Sequence, residues 1–514
     1  MPGANLYDLP AEIIDDIALQ VQPIECASLR LVCKELATKS IYAFKNVCFR
    51  TRRHMLSEYS LRGLLELSRN HNFGPAVTTL MIGTEQYEEK YADPMLNNSL
   101  AALSSEERDT HAAEVRQQKR RRDAGVDALM LAEALKNMPN CRSIEIVGNH
   151  IPASTAYQHY SASEELVYHS WGARTMADRI GIFPPTVSGR EKGVTGFASH
   201  VFVTVLAALA ISGSSSISSL TTRVRYFQGI SCTALHVSHA HFPGLASAFR
   251  QHFSDVPADQ LEDLSRERIR RAVSSLNSLV ITFDALAVVR PAPTADAPTV
   301  STFPSASAFD TALESHRCFL AMLPPTLARL RISAGYDIAD GFLFRVFADT
   351  AWFASVEILS LNDCKCQRWD VPRAILAACP RLRRLSLAAV SAPENYFPAF
   401  LRCAVGHGAL ELLRVSYLME QAGWVGVDPS GPGVDGVDGG VQLDAVSPFV
   451  EKVRTPDASF RVLECHGDCE EELCEHVSWA VAGTPGWDAT NVFQLRGRYD
   501  GAAGRGLDRD LIDP

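Results

Sequence analysis

Hydrophobic residues follow two different periods along this chain of 514 residues. Near the amino end they recur at intervals of three and four, as at Ile13, Ile14 and Ile17, which is the period of an amphipathic α-helix. Farther along, the pattern L-x-x-L-x-L returns many times, and its last two apolar positions alternate as in a β-strand with one buried face. The sequence therefore predicts a helical amino-terminal segment followed by a region of mixed helices and strands.

The amino-terminal segment predicts three short helices. Pro10 suits the first position of a helix, because an N–H at that position would have no hydrogen-bond partner within the helix. Asp8 is placed to cap the same helix. The second and third helices carry apolar sets of their own, which are Leu29, Val32, Cys33 and Leu36, then Ile41, Tyr42 and Phe44. Three such helices in about 45 residues cannot bury all their apolar stripes among themselves. Some of this surface should therefore face a partner.

The order of residues in this segment resembles a known module. L-P-x-E-I-I begins at Leu9, a hydrophobic residue follows at Ile17, and L-R-L-V-C-K begins at Leu29. This order resembles the F-box, the helical module that joins substrate receptors to the adaptor subunit of SCF-type cullin-RING ubiquitin ligases. The resemblance implies that the adaptor-facing residues include Leu9, Pro10, Ile13, Ile14, Ile17, Leu31, Val32 and Cys33. The alternative is a helical hairpin that packs on the rest of the protein.

The L-x-x-L-x-L pattern has nine candidate copies. They centre on Leu80, Ile144, Leu235, Leu279, Leu330, Leu359, Leu385, Leu413 and Leu463. Upstream of two copies, residues 128–138 and 373–379 have the pattern of a helix that ends before a proline. A unit of helix, turn and short strand cannot bury its apolar side alone, so neighbouring units must stack.

The spacing of the later copies is that of a repeat. The leucines at 359, 385 and 413 are 26 and 28 residues apart, within the range of leucine-rich repeats. This region resembles the irregular leucine-rich-repeat array that often follows an F-box. The predicted fold class is α/β, with a small all-α amino-terminal module followed by an irregular leucine-rich-repeat-like α/β solenoid with insertions.

These patterns predict four segments. Residues 1–50 form the adaptor-binding module, 51–127 hold linking helices, a first repeat-like strand and a charged insertion, 128–480 form the solenoid, and 481–514 form a partly disordered tail. Composition predicts loops at 290–308 and 425–442. The apolar run 201–211 is too short to cross a bilayer and predicts a buried helix.

Charge and cysteine content narrow the function. The formal net charge of −10 argues against broad binding to nucleic acid or an anionic membrane, so proteins are the expected partners. No secretory signal is evident, and we expect an intracellular protein, cytoplasmic or nuclear, whose 13 cysteines are mostly reduced. The basic run 116–122 fits a nuclear localisation signal or a phosphate-binding patch, and a solvated helix or loop is the favoured alternative.

A catalytic constellation is not evident. The sequence contains no nucleophile elbow, phosphate loop or zinc-binding helix motif. One segment carries candidate zinc ligands, Cys465, Cys469, Cys474 and His476, but their spacing is not that of paired C-x-x-C ligands and packed thiols are favoured. His236, His239 and His241 form a second cluster, for which surface or loop histidines are favoured. We expect no enzyme activity, no bound metal and no cofactor.

Together these patterns predict a non-catalytic substrate-recognition subunit of an SCF-type ubiquitin ligase. The amino-terminal helices would bind the adaptor, and through it the cullin, while the repeats bind a protein target. One alternative is a leucine-rich-repeat scaffold that is not linked to a ligase. Another is an enzyme that depends on a metal held between Cys465 and His476.

Overall fold

The computed structural model describes part of the chain. The described residues are 6–21, 23–87, 103–148, 170–181, 194–224, 229–235, 239, 242–283, 315, 318–320, 322–334, 351–362, 371–388, 391–392, 407, 409–410, 412–416, 419–420, 423–424 and 461–463. The chain divides into two compact units, Met1–Leu276 and Asn277–Pro514. Their boundary falls inside the segment 128–480 that the sequence assigns to one solenoid.

The first unit begins with a helical module. A 3-10 turn at Leu6–Asp8 precedes α1 (Ala11–Leu19), α2 (Pro23–Val32), α3 (Lys34–Lys39) and α4 (Ile41–Cys48). The sequence predicts three helices here, but the second splits at Cys33, whose backbone is extended (φ −158°, ψ 163°). Ala18, Cys26 and Ala43 form a small buried core between α1, α2 and α4.

Four parallel strands continue the first unit. They are β1 (Thr51–Met55), β2 (Thr79–Gly83), β3 (Ser143–Val147) and β4 (Ser219–Arg223), and they pair in that order. The register places Leu80 beside Ile144 and Ile144 beside Leu220, and all three side chains are fully buried. Equivalent positions of the repeated pattern therefore stack into one apolar row.

Helices cover these strands. They are α5 (Glu58–Arg69), α6 (Ser105–Ala124), α7 (Val126–Lys136), α8 (Ala173–Ile180), α9 (Val194–Ser212), α10 (Cys232–Leu235), α11 (Pro243–His252) and α12 (Leu261–Val273), with a 3-10 turn at Gly74–Ala76. Residues 201–211 of α9 are buried, which confirms the predicted buried helix. Within the described ranges, no helix combines the length and the apolar character that a membrane crossing requires.

The second unit repeats the same arrangement. Its parallel strands are β5 (Ser278–Phe283), β6 (Arg329–Ala334), β7 (Ile358–Asn362), β8 (Arg384–Ala388), β10 (Leu412–Ser416) and β13 (Arg461–Leu463), with a 3-10 turn at Ala351–Ser355 and α13 (Val371–Ala378) between them. The register aligns Leu279, Leu330, Leu359, Leu385 and Leu413 in one row across the strands. Short strands β9 (Ser391–Ala392), β11 (Met419–Glu420) and β12 (Gly423–Trp424) form a separate small sheet.

The structure confirms a mixed α/β fold with parallel strands and corrects one repeat. The copy centred on Leu235 is a short helix, because its apolar residues three apart also fit a helical turn. Strands β1 and β4 were not predicted. In β1, Arg52 and His54 occupy the two positions where the L-x-x-L-x-L pattern has its last leucines. In β4, Thr222 occupies the last leucine position of the pattern. The predicted loops at 290–308 and 425–442 and the tail at 481–514 lie outside the described residues.

Candidate adaptor-docking surface

Large exposed apolar side chains are concentrated in the helical module. Ten are exposed in the described part of the chain, and eight of them precede residue 50. These eight are Leu6, Ile13, Ile17, Leu19, Ile24, Leu31, Val32 and Tyr42. The other two, Tyr59 and Trp171, stack on each other with ring centroids 5.1 Å apart. We define the apolar surface of the module as Ile13 and Ile17 on α1 with Ile24, Leu31 and Val32 on α2.

Helix α1 has two apolar sides. Ile13 and Ile17 are four residues apart and therefore project from one face, where they are 45% and 38% exposed. Ile14 and Ala18 repeat the same spacing one position later and are fully buried. A nine-residue helix that packs with one stripe and exposes the next has more apolar surface than its own core needs.

Helix α2 carries the most exposed apolar residues of the module. Ile24 and Leu31 are seven residues apart and share a face, and Leu31 and Val32 end the helix with 87% and 71% exposure. The break that follows depends on Cys33, whose Sγ accepts the Leu36 N–H at 3.5 Å as the N-cap of α3. The cap ends α2 immediately after Leu31 and Val32.

Polar contacts hold the four helices together. The Asp15 carboxylate accepts the N–H of Ala43 at 2.9 Å, in the first turn of α4, and so acts as a cap supplied by another helix. The Arg30 guanidinium lies 4.4 Å from the centre of the Phe44 ring. Lys39 Nζ donates to the Leu9 carbonyl at 3.0 Å. The exposed apolar residues therefore stand on a fixed frame.

Three aromatic rings connect this frame to the strands. Phe49 and Phe73 stack with centroids 4.3 Å apart, and the edge of Phe44 approaches each of them, at 5.2 and 5.9 Å. Phe44 belongs to α4, whereas Phe73 directly precedes the 3-10 turn that leads into β2. The module is thus packed against the strand region of the first unit by rings with few rotatable bonds.

Most residues that the F-box resemblance names are accessible, with one exception. Ile13, Ile17, Leu31, Val32 and Pro10 are exposed, and Leu9 and Cys33 are partly exposed. Ile14 is fully buried and therefore does not lie on the exposed surface. Its neighbour Ile13 projects in a different direction from the same helix and is exposed. The resemblance does not name Leu6, Leu19, Ile24 or Tyr42. Periodicity places Tyr42 in the apolar set of the last predicted helix, and Ile24 lies seven residues before Leu31 on the same helix.

Four of the described cysteines, Cys26, Cys48, Cys141 and Cys379, behave as small apolar side chains. Burial raises the pKa of the Cys48 thiol to about 11, and it raises the pKa of Cys26, whose thiol contacts that of Cys48. Burial also raises the pKa of Cys141 to about 11 and that of Cys379 to about 12. A thiol with a raised pKa holds little thiolate near neutral pH, so none of these is an activated nucleophile.

Metal-binding chemistry is absent from the described ranges, which hold no group of three His, Cys, Asp or Glu side chains arranged for an ion. His239 lies in those ranges, and burial lowers its pKa. His236, His241 and the candidate ligands Cys465, Cys469, Cys474 and His476 lie outside them.

A buried polar network lies at the end of β1, and its geometry is structural. Arg53 pairs with Glu85 at 2.9 Å, and the Ser170 hydroxyl donates to the same carboxylate at 2.9 Å. Next to it, His54 Nδ1 lies 3.0 Å from the Ser60 carbonyl oxygen, which only accepts, so Nδ1 carries the proton. Burial lowers the pKa of His54 to about 3. All four side chains are almost fully buried, so the network belongs to the interior of the first unit.

Comparison with known proteins gives little. No family model matches the chain, and no curated protein matches it. Among solved structures it is similar to the leucine-rich repeat-containing protein LegL7 from Legionella pneumophila, with 14% identity over 72% of this chain and 91% of that one and a TM-score of 0.23. The fold described above therefore rests on the pairing and register of the strands themselves.

Proposed function

We propose that this chain is a non-catalytic substrate-recognition subunit of an SCF-type cullin-RING ubiquitin ligase. The helical module binds the adaptor subunit, and through it the cullin, while the helix and strand region binds a protein target. The observation that carries the proposal is the exposure of Leu31 and Val32, at 87% and 71%, within the segment that resembles an F-box. Large apolar side chains exposed together on a small module mark a protein interaction site.

The rigidity of the module supports the same function. Binding buries on the order of 1,600 Å² in a standard interface, and a few anchor residues supply most of the energy. Leu31 and Val32 require no rearrangement of α2 to reach a partner, because the Cys33 cap already ends the helix beside them. The stacked rings of Phe49 and Phe73, with the edge of Phe44 against them, fix the module on the strand region. A bound adaptor would therefore hold a defined position relative to the first strands.

In this proposal the chain makes and breaks no bond. It raises the effective concentration of a target near the ubiquitin-charged enzyme, which converts an encounter between free molecules into a local one.

Co-purification of the full chain with the adaptor tests the proposal. Val32→Asp or Leu31→Asp should abolish the complex, because each places a charge in the apolar interface without disturbing the core of the module. Thr38→Asp, at an exposed position of α3, adds the same charge away from the apolar surface and should leave the complex intact. Circular dichroism should be unchanged in all three variants. A complex that survives both Asp substitutions in α2 would refute the docking assignment.

The rival function is a leucine-rich-repeat scaffold without a ligase, in which the first helices cap the strands. A terminal cap needs a polar outer face to remain soluble, and exposed Leu31 and Val32 do not provide one. The same experiment separates the two functions, since a scaffold does not bind the adaptor with or without the substitutions.

A further inference from the structure

Helix α6 has an unusual polar inner face. It begins with a capping box, in which Ser104 Oγ accepts the Glu107 N–H at 3.2 Å and Glu107 accepts the Ser104 N–H at 2.7 Å. It ends at Gly125, whose φ of +69° is a left-handed conformation suited to glycine. The residues that α6 buries are His111, Glu114, Gln118 and Arg121. The amino end and one face of this helix are therefore specified by polar residues, and its carboxyl end by a glycine.

Hydrogen bonds from the inner face fix the rotation of α6. Gln118 Oε1 accepts the Tyr87 N–H at 3.3 Å, and Arg121 donates to the Leu56 carbonyl at 3.0 Å. Glu114 pairs with Arg179 of α8 at 3.1 Å. Because these contacts involve main-chain atoms and a second helix, α6 presents one definite face to solvent.

The outward face carries three cations, which we call the basic strip. Arg116, Lys119 and Arg120 are exposed and lie within five residues, at the spacings that place side chains together on a helix. None of the three has an ion pair or hydrogen bond to any other group in the described part of the chain. Asp109 and Asp123, seven positions to either side of Arg116, bound the strip. The strip lies before the last turn, so it is not needed to neutralise the helix dipole.

In helix α12 of the same unit, charged side chains pair with one another within the helix. Arg266 pairs with Glu262 at 2.8 Å, and Arg270 and Arg271 both pair with Glu267, at 2.8 and 2.7 Å. These two arginines hold the pKa of Glu267 at about 2. The arginines of α12 thus have their counter-ions within the helix. The basic strip makes no such ion pair among the described residues, although Asp123 lies four positions after Lys119, and it lies on a chain of net charge −10.

We propose that the basic strip of α6 binds an acidic segment of a partner protein, with carboxylate or phosphate groups facing Arg116, Lys119 and Arg120. Arginine suits both groups because its guanidinium forms paired hydrogen bonds to planar or tetrahedral oxyanions. The role of the basic strip as a binding site for ligase targets rests on the function proposed above. Its binding to an acidic segment does not require the adaptor. Nucleic acid is disfavoured, because its binding proteins neutralise many phosphates and this chain is acidic overall.

Fluorescence anisotropy with the full chain tests this proposal. The probes are short labelled peptides of matched length, one rich in glutamate and one in phosphoserine, and a single-stranded DNA of similar charge. The variant Arg116→Gln/Lys119→Gln/Arg120→Gln should weaken peptide binding about tenfold near physiological salt, as expected from losing three exposed charge contacts. The control Arg266→Gln/Arg270→Gln/Arg271→Gln removes the same charge from α12 and should change binding by less than about twofold.

The outcomes distinguish the possible occupants. Tighter binding of one peptide than the other identifies phosphate or carboxylate as the preferred group. No binding of either peptide, equal losses in the two triple variants, or tighter binding of the DNA would overturn the proposal. Co-purification of the α6 variant with the adaptor tests the helical module separately. If the chain binds the peptides but not the adaptor, the proposal for the basic strip stands and the proposed ligase function is rejected.

Discussion

Two leucines of the first unit have opposite surroundings. Leu31 of the helical module is 87% exposed, whereas Leu80 of β2 is fully buried beside Ile144 of the next strand. In the strand region each apolar row is completed by the neighbouring strand. In the module, four short helices bury Ile14, Ala18 and Leu36 but leave Ile13, Leu31 and Val32 outside. The strand region therefore buries its own apolar side chains, whereas the module leaves apolar side chains exposed that a partner can cover.

Truncating the two leucines tests this difference most strongly. Leu80→Ala should lower the free energy of unfolding by about 2–5 kcal/mol, because it removes buried contacts and leaves a cavity. Leu31→Ala deletes the same atoms from an exposed site and should change stability by less than about 0.5 kcal/mol. Urea denaturation followed by circular dichroism measures both. A large loss of stability in the Leu31 variant would show that this side chain is packed within the chain.

Acidification should separate the same two regions. The first 50 residues contain no histidine, whereas burial holds the pKa of His54 in β1 at about 3, below its ordinary value of about 6.5. Folding therefore favours the neutral form of His54. The contribution of this group to the free energy of unfolding is present above pH 6.5 and is lost as pH falls toward 3. Between pH 7 and pH 5 this one group should cost about 2 kcal/mol of stability.

Denaturation midpoints of the wild type and of His54→Gln, measured across this range, give the pH dependence of each. The variant should show a shallower decline toward acid, whatever its stability at pH 7. Equal slopes would mean that His54 is solvated or charged in the folded state. Adaptor binding at pH 6 should be close to that at pH 7, since no histidine lies in the module.

The sequence predicted the strand region better than the surface of the module. Leucine positions of the repeat aligned in register, because a period-two apolar pattern admits one buried face. Strand β1 escaped prediction because Arg52 and His54 stand where leucine is expected. The buried polar side chains of this strand depend on partners outside it, Glu85 for Arg53 and Ser60 for His54. For the module, periodicity identified the helices and not which of Ile13 and Ile14 turns inward, a choice made by packing against α3 and α4.

A cap between helices should contribute a moderate part of the stability of the module. Asp15 accepts the Ala43 N–H in the first turn of α4 at 2.9 Å, so Asp15→Ala should destabilise the module by about 1 kcal/mol. Asp16→Ala is the matched control, because Asp16 is exposed and makes no hydrogen bond within the described residues. Thermal unfolding compares the two variants. Equal losses would indicate a general effect of helix charge and not of the cap.

The smallest effect separates two roles for Cys33, which the F-box resemblance places against the adaptor and the structure places at the N-cap of α3. Sulfur is a weak acceptor, and its 3.5 Å contact with the Leu36 N–H is correspondingly long. Cys33→Ser supplies a better acceptor in the same extended conformation and should raise stability by about 0.5 kcal/mol. Adaptor co-purification should be retained, because Leu31 and Val32 keep their positions. Loss of the adaptor with normal stability would assign the thiol to the interface instead.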